Sequence, residues 1–191
     1  MSKVLMYDYH YNTIKKQYGD RSKLLFTDTD SLTYEIKTDD IYADMKKDKN
    51  TYDFSDYPKD HHSGLFSDAN KKVIGKFKDE ANGKIITEFV GLRAKMYSFT
   101  TDDYESKKAK GVKRAVVKNE LKFSDYRRSL LGGVRNDIQQ KVNFNTIRSY
   151  KHELYSISQT KIGLCSFDDK RHVLSDGIHT LAHGHHKIIK K

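Results

Sequence analysis

At 191 residues the chain has room for one ordinary domain, or a compact domain with a smaller one appended, but not for two of full size. With 36% hydrophobic and 32% charged residues a core is possible but thin, and a mean hydropathy of −0.82 with no long apolar run excludes helical membrane spans. The formal charge of +10 points toward a polyanionic partner such as nucleic acid, a property shared with ribosome-associated and anionic-membrane-binding proteins. Acidic residues are dense up to about Glu80 and basic ones from Lys107 to Arg148, so one half suits cations and the other phosphates. Met1 to Tyr18 lack the apolar core of a secretory leader, so the chain reads as intracellular, with nothing to separate nucleus from cytoplasm. The single cysteine, Cys165, allows no internal disulfide or zinc knuckle and reads as a small buried hydrophobe.

In chain order, Val4, Tyr7, Tyr11, Ile14 and Tyr18 recur at helical spacing and predict one packed helix face, closed by Gly19 in a left-handed conformation. Residues 23–28 and 31–36 then read as two strands joined at Asp28, Thr29 and Asp30. A short helix over 39–47, capped by the Asp39-Asp40 pair, leads into a polar loop over 48–70 that holds the only proline, Pro58. Apolar alternation over 72–77 and 84–89 around Asn82-Gly83 predicts a second hairpin with a type I′ turn. A strand over 92–101 and an acidic turn at 102–105 follow, and 112–121 fits helix or strand. Ser124 is the expected cap of a helix through Leu131 that Gly132 and Gly133 end. Ile138, Gln140, Val142 and Phe144 alternate as a strand over 137–144, and 154–167 adds one or two more. The end, 176–191, is polar and Gly-interrupted, with the character of a mobile tail.

Leu24-Leu25-Phe26-Thr27-Asp28-Thr29-Asp30-Ser31-Leu32 sets two carboxylates at a hairpin tip, where the turn between them lets both approach one divalent ion. Mg²⁺ takes hard oxygen ligands and commonly one or two protein carboxylates, with water and substrate phosphate completing its shell. An inert turn is the competing reading, since Asp and Ser favour turns in any case.

Phe26-Thr27-Asp28-Thr29-Asp30-Ser31 closely resembles motif C of the family B DNA polymerases. Further on, Lys95-Met96-Tyr97 resembles their Lys-x-Tyr motif, and Lys107-Lys108-Ala109-Lys110-Gly111-Val112 resembles the Lys-rich step from palm to thumb. The wider text, including Tyr57-Pro58-Lys59-Asp60, is most similar to the protein-primed branch of Polinton or Maverick mobile elements and related viruses. The likeness runs from about Val4 to Gly184. It implies an α+β chain: an antiparallel palm-type sheet carrying the motif C hairpin and flanking helices over 1–106, a small thumb-like α/β region over 107–175, and a flexible His- and Lys-rich tail over 176–191.

The same likeness implies a DNA-directed DNA polymerase fragment working with Mg²⁺ or Mn²⁺, two ions in a complete site, that transfers nucleotides to a primer end. Asp30 would be the principal metal ligand and Asp28 its assistant, with Thr29 and Ser31 shaping the turn. Lys95 and Tyr97 would meet the primer-template backbone, Lys107, Lys108, Lys110, Lys113 and Arg114 would track phosphates, and Tyr126, Arg127 and Arg128 would sit on a thumb-side helix. Implied partners are a DNA primer-template, a deoxynucleoside triphosphate in the complete enzyme and a terminal priming protein, with no membrane.

The departures are equally specific. The sequence has no motif A aspartate followed by a Ser-Leu-Tyr-Pro-like run, no basic fingers helix and no space for an exonuclease domain. Losing half of a two-metal site costs about 3 kcal/mol or more per group, and losing the triphosphate pocket forfeits roughly 7–11 kcal/mol of proximity, so the isolated chain is expected to show no turnover. A palm hairpin without its partner strands would leave an open sheet edge and an apolar face that invite aggregation, as in a gene fragment or degenerate element copy. The alternative is a non-catalytic basic module that holds nucleic acid while the Asp pair is only a turn. A third reading takes His179, His183, His185 and His186 as a metal-binding tract, although no Glu follows His179 as a zinc protease helix requires.

Overall fold

A computed structural model of the chain describes residues 2–132, 140–166, 171–182 and 184–188. It is an α+β protein whose described strands fall into five small sheets, all antiparallel except one two-residue pair. The chain divides into two compact units, Met1–Thr87 with Thr101–Asp103, and Glu88–Thr100 with Tyr104–Lys191. That division differs from the boundary near residue 106 expected from the motifs, because the Lys-x-Tyr strand pairs with the Lys-rich strand and both belong to one unit. Among the described residues no helix is long and apolar enough to cross a membrane.

The first unit opens with α1 (Ser2–Asp8), a π-helical stretch (Tyr9–Lys15) and α2 (Lys16–Tyr18). Ile14 and Tyr18 are buried as expected, but Val4, Tyr7 and Tyr11 are exposed and Met6 is buried instead. The wider π turn shifts the helical phase, so Tyr9 and His10 turn toward the protein where a regular helix would present Tyr7 and Tyr11. Gly19 ends the run with φ 54, a conformation cheap for glycine. The strands β1 (Ser22–Asp28) and β2 (Ser31–Ile36) form the expected hairpin, with a bulge at Leu25. α3 (Ile41–Lys47) is capped by Asp40, whose Oδ1 accepts the amides of Tyr42 and Ala43.

The expected polar loop over 48–70 instead supplies the core of this unit. Tyr52, Phe54, Tyr57 and Leu65 are buried together, with Tyr9, Tyr42, Met45, Phe66 and Phe77 packed around them. Here β3 (Tyr52–Asp53) pairs in parallel with β4 (Phe77–Lys78). The second predicted hairpin does not form. Asn82 and Gly83 both have positive φ, as a type I′ turn requires, but the Asp79 carboxylate captures the Ala81 and Gly83 amides and the Tyr57 hydroxyl. Phe77 stacks on Tyr9 at 3.9 Å between centroids, so its arm goes to the aromatic core. A Cβ at Gly83 would lie 2.8 Å from His61 Nε2, so the close approach demands glycine as much as the dihedral does. The Gly83 carbonyl accepts from the Tyr42 hydroxyl and from His61 Nε2.

Two carboxylates in this unit are held ionised. Asp44 accepts from Lys47 Nζ, Thr38 Oγ1 and Tyr18 OH, and the Lys47 ammonium, then the Thr38 hydroxyl, lower its pKa against the cost of burial. Burial pushes Asp53 upward, but the Ser55 and Lys72 amides outweigh it and the net shift is downward.

β5 (Ile86–Arg93), β6 (Met96–Thr101) and β7 (Glu105–Ala109), which apart from Ile86, Thr87 and Thr101 belong to the second unit, make a sheet in that order. The ambiguous 112–121 segment resolves as α4 (Arg114–Asn119). α5 (Phe123–Leu131) starts two residues earlier than a Ser124 cap implies, with Lys122 at the cap position, and the Asp125 carboxylate accepts the Lys122 amide at 2.9 Å. Tyr126 lies on this helix, as expected, but is fully buried and donates to the Lys108 carbonyl. Gly132 follows α5, and Gly133 lies outside the described residues.

The strand expected over 137–144 is described from Gln140 and runs on as β8 (Gln140–Tyr150), paired along its length with one long strand, β9 (Glu153–Leu164). Residues 137–139 and Phe167 lie outside the described residues. The base of this hairpin enters the core through Val142 and Leu164, with Phe144 packed against it, while its distal half exposes Ile147, Tyr150 and Leu154. Cys165 is buried, as expected. Within the expected tail, β11 (Thr180–Ala182) pairs with β10 (Arg171–Val173), and Asp176 caps the connection through the Ile178 and His179 amides.

Two predictions follow from this packing. Leu164→Ala, at a site with no exposure, should cost about 2–5 kcal/mol, whereas Leu154→Ala on the same strand, 75% exposed, should stay within about 0.5 kcal/mol. Urea unfolding read by amide exchange in the second unit measures both. Because the folded Asp44 pKa lies below its unfolded value, its contribution is complete above that unfolded value, about 3.9, and disappears as pH falls through the folded one. Asp44→Asn should therefore lower the stability of the first unit at pH 6 and flatten its loss on acidification below about pH 4, with Asp53 sustaining the remaining slope. An unchanged acid profile would contradict this assignment.

Candidate functional site

The carboxylate tip is built by the pairing of β1 with β2. Asp28 faces Ser31 across the ladder, leaving only Thr29 and Asp30 to reverse the chain. The Asp30 amide donates to the Asp28 carbonyl at 2.6 Å, and Thr29 between them has φ 56. This is a γ-turn on a β-branched residue, a strained arrangement that costs on the order of 1–3 kcal/mol. Both flanking hydroxyls serve the turn, Thr29 Oγ1 donating to Asp28 Oδ1 at 3.3 Å and Ser31 Oγ to the Asp28 carbonyl at 3.4 Å. Asp28 is half-buried and Asp30 exposed. Two carboxylates two positions apart at so tight a turn match in number the small protein contribution that Mg²⁺ or Mn²⁺ takes.

The hairpin is fixed to its unit through β2. The Tyr34 hydroxyl lies 2.8 Å from His10 Nδ1 and the two rings stack, while burial raises the Tyr34 pKa to about 12. Lys15 Nζ donates to the Ser22 carbonyl at the start of β1. Both strands of the ribbon are thus tied, toward its open end, to the N-terminal helical run.

The remaining motif residues lie in the second unit, where backbone pairing brings distant segments together. Lys95, with φ 60, occupies the reversal between β5 and β6, and its carbonyl accepts the Lys110 amide at 2.9 Å. Tyr97 stands opposite Lys108 in the β6–β7 register. Met96 and Ala109 face the core, so Tyr97 and Lys108 fall on the outer face of the sheet. Val90 and Leu92 also face the core, which puts Phe89 and Arg93 on that outer face, where Phe89 stacks with Tyr97 at 6.0 Å. Phe89 and Arg93 were not read onto this face because the sequence suggests a break between 89 and 92, where one strand runs through. Their signal is the inward pair Val90 and Leu92 at strand spacing.

Lys107 departs from the predicted phosphate stripe. It alternates to the inner side of β7, and its Nζ donates to the Lys118 and Leu121 carbonyls, with Glu105 at 3.8 Å. With its side chain 14% exposed, it closes the C-terminal end of α4. Lys108, Lys110, Lys113 and Arg114 remain exposed. Gly111, with φ 84, lets Lys161 Nζ reach its carbonyl at 2.9 Å, and a Cβ there would lie 2.8 Å from that nitrogen. Of the helix residues, Arg127 pairs with Glu88 and Arg128 with Asp125, both at 3.7 Å.

In the histidine tract, His179 Nδ1 pairs with Asp176, His185 stacks on His186, and His183 lies outside the described residues. Among the described residues no three His, Cys, Asp or Glu side chains are grouped to hold a metal. Compared with known proteins, the chain matches no family model, no curated protein and no solved structure.

Proposed function

We propose that this chain is the motif C portion of a family B DNA polymerase palm, continuing into the start of its thumb, of the protein-primed kind. The observation that carries the reading is the Asp28-Thr29-Asp30-Ser31 run at a two-residue reversal between paired strands, with both hydroxyls spent on the turn and both carboxylates at its tip. An inert turn gains nothing from a strained threonine, because Asn or Gly would reverse the chain at lower cost. A strained residue set between two carboxylates has a rationale in cation binding.

In this reading Asp30 is the principal ligand of Mg²⁺ or Mn²⁺ and Asp28 assists. The bound metal supplies charge stabilisation for phosphoryl transfer at a DNA primer end, with a deoxynucleoside triphosphate as the incoming substrate. The union of Lys95 with Lys110, and of Tyr97 with Lys108, supports a phosphate-tracking surface formed from both basic motifs. Lys113 and Arg114 extend it, and Lys107 leaves it for its structural role. The sequence contains no motif A run and no fingers helix, so the reading is of a partial site, completed by residues this sequence does not hold, with a terminal priming protein among the partners of the complete enzyme.

A second reading, a non-catalytic nucleic-acid-binding module, draws on the same outer sheet face, where the Phe89–Tyr97 stack beside Lys108 suits bases and phosphates without any metal. Calorimetric titration with Mn²⁺ separates the two. Under the polymerase reading the chain takes up Mn²⁺, and Asp28→Ala/Asp30→Ala protein loses that uptake while retaining salt-dependent DNA affinity. Absence of uptake by the unaltered chain, or uptake unchanged in the double variant, favours the binding module.

A further inference from the structure

The ribbon of β8 and β9 carries a strand edge that neither the carboxylate tip nor the basic sheet face uses. Among the described residues no strand pairs with either outer edge of this ribbon, although its strands are 11 and 12 residues long. Open edges of that length recruit other strands through their unpaired amides and carbonyls, and charged side chains are a common defence. β8 has that defence in Lys141 and Arg148. β9 lacks it: the run Leu154-Tyr155-Ser156-Ile157-Ser158-Gln159-Thr160 holds no charge, proline or glycine, in a chain where 32% of residues are charged. Every residue from Glu153 to Ser158 is exposed, Tyr155 at 44% and Ile157 at 40%. A run of this composition is that of a strand that pairs with another chain.

The run is also complementary to itself. When two copies of β9 lie antiparallel about a two-fold axis through Ile157, that residue faces its own copy, Tyr155 faces Gln159, Ser156 faces Ser158, and Glu153 faces Lys161. The symmetry makes the Glu153–Lys161 pairing twice. Within one chain, among the described residues, Glu153 meets no cation and Lys161 no carboxylate: the Glu153 carboxylate accepts from the Tyr155 hydroxyl, and Lys161 Nζ donates to the neutral Gly111 carbonyl. Moving the axis by one residue sets Glu153 opposite Gln159 or Gly163 and forfeits both charge pairs. Alternate residues of a strand share a face, so Tyr155 of one copy lies diagonal to Ile157 of the other, an aromatic contact with a β-branched side chain that favours pairing. The distal half of the ribbon lies beyond its core anchors Val142, Phe144 and Leu164. Two strands without a core are marginally stable, and four are not.

We propose that β9 is a self-association edge: two copies of this chain pair their β9 strands antiparallel about Ile157 into one four-stranded sheet. The charged edge of β8 limits the assembly to a dimer.

Sedimentation velocity of the full chain over a concentration series tests it and should show a reversible monomer–dimer equilibrium. Ile157→Lys and Ile157→Glu each set like charges face to face across the axis, and each should raise the dimer dissociation constant by about tenfold or more with the circular dichroism spectrum retained. An equimolar mixture of the two variants should dimerise again, because lysine then faces glutamate. Ile157→Cys protein should cross-link to itself on mild oxidation, and Thr160→Cys protein, whose cysteine faces Leu154, should not. A chain that is monomeric at every concentration, open-ended aggregates, a dimer undiminished by Ile157→Lys, a mixture that stays monomeric, or equal cross-linking of the two cysteine variants would each overturn the proposal.

Discussion

Between Asp28 and Ser31 the chain reverses within two residues, and it does so through a threonine held at φ 56. A two-stranded ribbon is marginally stable by itself, so that strain has to be offset by contacts beyond the hairpin. They come from the opposite side of the ribbon. Tyr34 on β2 stacks on His10 and shares a hydrogen bond with it, and His10 faces inward because the helical run widens to a π turn at Tyr9–Lys15. The geometry of the two carboxylates thus depends on a helical irregularity well upstream in the chain. A regular helix would present Tyr7 and Tyr11 instead and leave Tyr34 without its partner.

A common device recurs in the rest of the molecule: polar side chains take backbone groups that helices and sheets would otherwise leave unsatisfied. Asp79 holds the Ala81 and Gly83 amides, Asp40 caps α3, Asp125 takes the Lys122 amide, and Lys107 closes the carbonyl end of α4. In a chain with 36% hydrophobic residues, each unit has a small core, and such bonds specify the connections between short elements. The cost falls on apparent function, since a lysine within a basic run can be spent on structure. Lys107 and Lys108 are adjacent in sequence, yet strand alternation sends one to a helix end and the other to the outer sheet face.

The legible parts of the fold were those with local causes. The Leu24-Leu25-Phe26 run and the alternating Leu32, Tyr34 and Ile36 on either side of Asp-Thr-Asp marked the hairpin, the Asp39-Asp40 pair marked its helix, and the lone Cys165 was buried like any small hydrophobe. What was misread has causes spread along the chain. The 48–70 segment lacks any period, yet Tyr52, Phe54, Tyr57 and Leu65 meet through turns. Asn82-Gly83 has hairpin dihedrals, but its arms were claimed by Asp79 and Tyr9. The long β8–β9 hairpin turns at Lys151 and His152, with φ 49 and 67, residues that give no turn signal in a sequence. The bond between Lys95 and Lys110 and the stack of Phe89 on Tyr97 exist only once strand register is fixed.

The central claim is that the tip at Asp28 and Asp30 holds a divalent cation. Anomalous diffraction from crystals soaked in Mn²⁺ tests it most directly. The account predicts a manganese peak at the hairpin tip within about 2.0–2.3 Å of carboxylate oxygens from both residues, the spacing of small hard cations. A clear peak elsewhere, or none at saturating Mn²⁺ with both side chains well ordered, would contradict it.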